Sequence, residues 1–252
     1  MIGRLNFEPR GRGSVTAGRL YGLPVFYAAV DPESFWAERR LKKAGRALRQ
    51  EGVVRLLVPG TFERWSFLGA LGLRPVETEG FVKAQSARLA VESLERRGVA
   101  PDRATVALRA KRVDRTLRQT AAELCPKVRN LVVDVPRGGG ELAKWLRWEF
   151  GIPVLPSSEA GQVGLCFHPD SGGGDEVELG LYGTEPKLEG LALCAPELRA
   201  EDSENLPLLS ALWEGGKLRP EDIKILDRIP GNTYNDTESI IMPTDTMSNG
   251  CK

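Results

Sequence analysis

A single histidine, His168, stands in 252 residues. A nucleophile–histidine–acid triad would have to use it, which limits the options. The four cysteines, at 125, 166, 194 and 251, have no Cys-x-x-Cys spacing. That argues against a zinc knuckle or a disulfide framework. No His-x-x-x-His, His-Glu-x-x-His or carboxylate cluster offers a metal site. No apolar run approaches the roughly 18 residues of a membrane span, and no secretory apolar core follows Met1 to Arg4. Helix-turn-helix, zinc-finger and RNP signatures are missing too. These absences predict a cytoplasmic α/β-type protein with no membrane partner and no cofactor.

Charge is present in plenty but unevenly spread. The net charge is +1, with 27% charged and 41% apolar residues. Residues 1–150 carry 28 Lys and Arg against 16 Asp and Glu, whereas residues 151–252 carry 7 against 18. Such a dipolar chain either attracts its own other half or presents a basic face to phosphate-bearing partners.

Along the chain, Val15–Leu20 and Pro24–Val30 read as strands around Tyr21-Gly22-Leu23. Asp31 has the chemistry of an N-cap with Pro32 behind it. Ala37, Leu41, Ala44 and Leu48 then follow at helical spacing. Arg39, Arg40, Lys42, Lys43, Arg46 and Arg49 share the polar face of that helix. Val53–Val58 is a strand, Thr61 a cap for a helix through Leu71, Arg74–Val76 an extended piece, and Phe81–Arg97 a helix. Ala104–Ala110, Val128–Val135 and Ile152–Leu155 are apolar strands. They alternate with helices over Thr116–Leu124, where Thr116 and Gln119 have capping-box spacing, and over Glu141–Phe150. Val163–Phe167, Val177–Tyr182 and Leu191–Cys194 are further strands, and Pro207–Trp213 a short helix.

Apolar strands alternating with helices predict a parallel sheet covered on both faces. The expected fold is therefore α/β, doubly wound and mostly parallel. Antiparallel strands are expected near the N-terminus and at 163–196. Residues 1–228 form one α/β domain, or two halves at 14–100 and 101–228. Residues 229–252 lack periodicity and read as a disordered or loosely docked tail. Asn6–Gly13 reads as a mobile basic arm, because no strand is evident before Gly11-Arg12-Gly13.

The stretch 104–155 resembles the nucleotide-binding half of Rossmann-type proteins. The resemblance implies a phosphate site at the turn after the first strand and an acid at the end of the second, bonded to a ribose. Here the turn 109–115 has no glycine, which argues against standard dinucleotide binding. Lys111 and Arg112 remain as cations that could hold a phosphate, and Asp134 occupies the acid's position. The loop Pro136-Arg137-Gly138-Gly139-Gly140 precedes a helix, where free N–H groups attract anions. Arg137 adds a forked donor. The candidate anion site is thus Lys111, Arg112, Asp134, Arg137, Gly138, Gly139 and Gly140. Cys166 and His168 share a strand face without any catalytic signature, and Ser157-Ser158-Glu159 lacks a nucleophile elbow.

Three functions follow. The first is a Rossmann-like protein without a recognisable catalytic apparatus that binds a protein partner or a small anionic ligand. The second is a nucleotide- or phosphate-dependent enzyme with its site at the carboxyl edge of the sheet. The third is a nucleic-acid-associated protein using the basic first 150 residues. The first would use exposed aromatics, with Phe35, Trp36, Trp65 and Trp213 as candidates. The third needs Arg39, Arg40, Lys43, Arg46, Arg115 and Arg118 on one surface.

Overall fold

The structure, a computed structural model, describes residues 1–60 and 62–227. The N-terminus is not an arm. Ile2–Phe7 forms β1, the middle strand of a five-stranded sheet. Side chains alternate along it, so Leu5 packs beneath a helix while Ile2 joins the opposite core. Gly3 and Arg4 interrupt the apolar run, which hides the strand from a periodicity argument.

After β1 the chain makes the hairpin β2 (Arg12–Leu20) and β3 (Leu23–Val30), then helix α1 (Ala37–Gln50) and β4 (Arg55–Leu57). Helix α2 (Trp65–Gly69) and β5 (Arg74–Pro75) follow. The strand order is β2-β3-β1-β4-β5, with only β2 antiparallel. Gly11-Arg12-Gly13 enters a strand, not a helix, so it is no phosphate turn. Gly13 has φ +71°, and a Cβ there would meet the Arg40 carbonyl at 2.8 Å. It lets β2 lie against α1. The start of α1 also differs from expectation: Asp31 accepts from the Glu33 N–H, and the helix begins at Ala37.

The expected helix at 81–97 is two, α3 (Glu79–Ala84) and α4 (Ser86–Arg96), separated at Gln85. A second sheet follows, with β6 (Thr105–Arg109), β7 (Asn130–Asp134), β8 (Val154–Leu155), β9 (Val163–Cys166) and β10 (Glu178–Gly180). Its order is β10-β9-β6-β7-β8, and every pair is parallel. Helices α5 (Arg115–Leu124) and α6 (Gly139–Phe150) make the crossovers on one side. The cap of α5 is Asp114, which accepts from the Leu117 N–H at 2.8 Å, rather than Thr116. Of α6, Leu142 and Leu146 are buried while Phe150 is exposed.

The α/β class and the mostly parallel sheets are those the pattern predicts. One detail differs: the strands at 163–166 and 178–180 extend the parallel sheet. Among the strands expected at 163–196, β11 (Leu191–Cys194) is the antiparallel one, paired with β12 (Lys224–Asp227). Between these two lie α7 (Ala200–Ser203) and α8 (Leu206–Glu214), the latter capped by the Asn205 side chain.

Two apolar clusters hold the elements. Leu5, Leu41, Ala44, Leu48 and Leu56 pack between the first sheet and α1. A larger cluster runs from Ile2, Leu57 and Val76 through Leu89 and Val106 to Leu165 and Leu208. It joins residues of both five-stranded sheets. Each such leucine contributes about 1.5–3 kcal/mol of burial. Among the described residues no helix is long and apolar enough to cross a membrane. Thr61 and residues 229–252, for which a cap and a tail are expected, lie outside the described residues.

Candidate functional site

In an open α/β sheet, ligands bind beyond the carboxyl ends of the strands, where neighbouring strands send their connections in opposite directions. Each five-stranded sheet has such a point. In the first it falls between β1 and β4, because β1 leads toward β3 and β4 toward β5. In the second it falls between β6 and β9, because β6 leads to β7 and β9 to β10.

The crevice between β6 and β9 is filled from within. Arg109 ends β6 opposite Cys166 of β9, and its side chain is 2% exposed. Its Nε donates to Asp175 Oδ2 at 2.6 Å and its Nη2 to Oδ1 at 2.8 Å. Nη1 reaches Asp134 Oδ2 at 3.0 Å, and Nη2 also approaches the Glu159 and Gly173 carbonyls. The hydrogen bonds that Arg109 donates to Asp175 outweigh the desolvation of burial and raise its guanidinium above the ordinary value, so it stays charged. A Cβ at Gly173 would fall on that guanidinium, and one at Gly164 on the Asp175 carboxylate. The glycines at 164 and 173 therefore make room for the ion pair.

The residues of the sequence-predicted anion site lie along the neighbouring loops. Asp134 accepts from Arg109. Lys111 Nζ lies 2.9 Å from Asp170 Oδ2 and, with His168, holds that carboxyl below its usual range. Arg112 and Arg137 meet through their backbones, with the Val113 N–H donating to the Arg137 carbonyl at 3.0 Å. Gly138, at φ +84°, is the residue from which α6 springs, Gly139 packs on Val135, and Gly140 is exposed. Glu141 lies in the first turn of α6, where its charge competes with any incoming anion.

Cys166 and His168 each bond within the 166–171 segment rather than to one another. Burial pushes the Cys166 thiol up to about 11, and its Sγ donates to the Ser171 carbonyl. His168 Nδ1 accepts the Asp170 N–H at 3.2 Å.

The crevice between β1 and β4 is open. A cavity of about 520 Å³ lies over the ends of these strands, with Arg4, Asn6 and Glu8 on one side and Val58 to Gly60 on the other. Glu201, Asp202 and Asn205 overhang it from α7 and the cap of α8. A second cavity of about 430 Å³ shares Arg4, Asn6, Glu201 and Asp202 and adds Arg19, Tyr21, Tyr27 and Arg199. Arg4 and Asn6 face the same way because strand side chains repeat every two residues.

Asp202 is the pivot between the two cavities. It is 3% exposed and accepts from Arg4 Nη2 at 3.0 Å and from the Tyr21 hydroxyl at 2.9 Å. Burial, then the bond to Asp202, raises the Tyr21 hydroxyl above its ordinary value, so it stays protonated as a donor. The tyrosine is placed by its turn. Leu20 pairs with Leu23, leaving a two-residue loop with Tyr21 at φ +48° and Gly22 at φ +79°. This is the geometry of a type I′ hairpin. Positive φ is uncommon for an aromatic residue, and such strain is concentrated where side chains must be aimed.

No protein-family profile matches the chain, and no curated protein matches it. Among solved structures, L-tryptophan dehydrogenase from Nostoc punctiforme is similar over 66% of this chain, at 14% identity and a TM-score of 0.29. The chain spans 55% of that enzyme's length. Arylmalonate decarboxylase is similar over 62% of this chain and 86% of its own, at 17% identity and a TM-score of 0.21. At these scores neither likeness carries an argument about function. The chain has an α/β architecture compatible with a Rossmann-like fold, and no family is identified.

Arg4, Asn6 and Asp202 are residues that the motif reasoning misses. Arg4 and Asn6 sit on a strand too broken to be recognised. Asp202 lies in a polar segment, Glu201-Asp202-Ser203-Glu204, with nothing to single it out. The buried Arg109 and Asp175 did leave a signal, a lone charge closing an apolar strand and an acid after three glycines. Of the four candidate surface aromatics, Phe35 and Trp36 are exposed, whereas Trp65 and Trp213 are partly buried.

Proposed function

We propose that the protein binds a small anionic ligand in the crevice at the carboxyl ends of β1 and β4. The observation that carries this reading is Arg4, which lines both cavities there while Asp202 holds one end of its guanidinium. An arginine fixed by a buried carboxylate is pre-organised to offer its remaining donors to an anion. Arg19 and Arg199 add two more cations to the second cavity, beside Tyr21 and Tyr27. Each cavity falls within the roughly 300–1,000 Å³ range of small-molecule sites. The bound anion would be a carboxylate or phosphate, taken up without a role for the Arg137 loop.

A thermal-shift panel of phosphate, sulfate, simple carboxylates and nucleoside monophosphates tests this. A ligand at about 100 times its dissociation constant should add roughly 2.7 kcal/mol of stability. The shift should be lost in Arg19→Ala and Arg199→Ala and kept in Arg137→Ala. Loss in Arg137→Ala alone would move the site to the loop before α6. No shift from any member of the panel would overturn ligand binding in favour of a protein partner.

A further inference from the structure

Helix α1 turns Leu41, Ala44 and Leu48 into the core and leaves Arg39, Lys42, Lys43 and Arg46 exposed. Arg12 of β2 stands beside them. With Trp36 and Arg40 these residues line a depression of about 800 Å³ on the outer face of the helix. Arg40 is engaged, 3.6 Å from Asp31 and bonded to the Gly11 carbonyl. Among the described residues no carboxylate lies within ion-pair distance of Arg12, Arg39, Lys42, Lys43 or Arg46. Glu38 is the acid within the helix, in its first turn. Like charges at positions 39 and 43, and at 42 and 46, repel across one helical turn. Folding gains nothing from that repulsion, which a partner of opposite charge would relieve.

An aromatic platform stands at the end of this depression. Phe35 is 91% and Trp36 53% exposed, and their rings meet edge to face at 5.0 Å. The Arg39 guanidinium lies 5.8 Å from the Trp36 ring centre. Lys42 likewise lies 4.6 Å from the Phe67 ring centre. Five cations without a carboxylate partner and an exposed indole suit a polymer that offers both regularly spaced phosphates and flat apolar faces.

We propose that this face of α1 binds single-stranded nucleic acid, with Arg12, Arg39, Lys42, Lys43 and Arg46 on the phosphates and Trp36 stacked on a base. The chemistry is that of sequence-tolerant strand binding, in which a basic groove tracks the backbone and aromatics take the bases. A duplex keeps its base faces covered and leaves Trp36 unused. An anionic membrane is a poorer match, because the apolar stripe of α1 is spent on the core and the cations line a concavity. The basic residues of α5, Arg115 and Arg118, take no part: α5 packs on α3, α4 and α6, and α1 on β2, β3 and α2.

The test is fluorescence anisotropy of the full chain with labelled oligothymidylate and oligouridylate, a matched duplex, and phosphatidylserine vesicles. Single strands should bind, with log affinity falling against log salt at a slope of about −3 to −4 for five neutralised phosphates. Lys42→Glu with Lys43→Glu should weaken binding about tenfold or more and flatten that slope. Trp36→Ala should weaken it about tenfold with the slope unchanged. Thermal midpoints of both variants check that the fold is intact. Absence of binding at low salt, equal affinity for the duplex, insensitivity to Trp36→Ala, or binding confined to vesicles would each overturn the proposal.

Discussion

Arg109 and Asp175 form a two-pronged ion pair, at 2.6 and 2.8 Å, inside the crevice between β6 and β9 at the carboxyl edge of the second sheet. Both side chains are almost wholly out of solvent. The two sheets thus share a layout and differ in what occupies its functional point. In the second an internal ion pair fills it, and in the first Arg4 and Asp202 border open space.

Breaking the Arg109–Asp175 pair should be severe. Asp175→Ala leaves the buried Arg109 cation with only the half-exposed Asp134 as its counter-ion and frees the Gly161 N–H that also binds this carboxylate. The expected cost is about 2–4 kcal/mol, toward the lower end of what a broken buried pair costs because Asp134 remains. Replacing both partners with apolar residues, as in Arg109→Met with Asp175→Leu, should restore part of it. Urea denaturation measures both, and a loss under about 1 kcal/mol for Asp175→Ala would refute the buried-pair reading.

Tyr21 predicts a pH dependence. Its hydroxyl has a raised value in the folded state, so the folded form holds its proton more tightly than the unfolded form. The stability it contributes is complete below the unfolded value of about 10 and is lost as pH rises through the higher folded value. Wild-type stability should therefore fall more steeply above pH 10 than that of Tyr21→Phe. At neutral pH Tyr21→Phe should cost about 1 kcal/mol for the bond to Asp202. Parallel slopes of the two proteins in alkali would contradict this.

The three cysteines among the described residues should be inert in the native state. Burial pushes Cys125 and Cys166 up to about 11 and raises Cys194 as well. In a Cys251→Ser variant, thiol titration at pH 7.5 should be slow until urea is added, when three thiols react. A thiol that reacts at once in the folded variant would locate an exposed sulfur that this geometry does not contain.

Gly13 should tolerate no side chain. Gly13→Ala must adopt φ +71° and press its Cβ on the Arg40 carbonyl. A loss of about 1–3 kcal/mol is expected. The change also displaces Arg12 and Arg40 from the α1 depression, so oligothymidylate affinity should fall with it. A thermal midpoint equal to wild type would argue that β2 and α1 are not held this closely.

The second sheet was legible in residues 104–155 because each strand is a continuous apolar run and each helix ends on a recognisable signal, such as Gly151 after α6. The amphipathic α1 was legible for the same reason, its apolar and cationic positions falling on opposite faces. Periodicity reports which face of an element is buried, and that is local information. It does not report which strand lies beside which. β1 escaped notice because Gly3, Arg4 and Asn6 break its pattern, and burial by parallel neighbours on both sides makes it a central strand.

The open crevice depends on contacts that no local pattern encodes. Arg4 and Asp202 are 198 residues apart, and Tyr21 reaches the same carboxylate from a hairpin on the far edge of the sheet. Whether a lone charge in an apolar strand becomes a site or a plug is decided the same way. Arg109 met Asp175 and was sealed, while Arg4 met Asp202 at a half-open edge. Sequence supplied the charges and the apolar runs that bury them. The packing of distant segments chose their partners, because a buried charge is stable only where another part of the chain brings an opposite one.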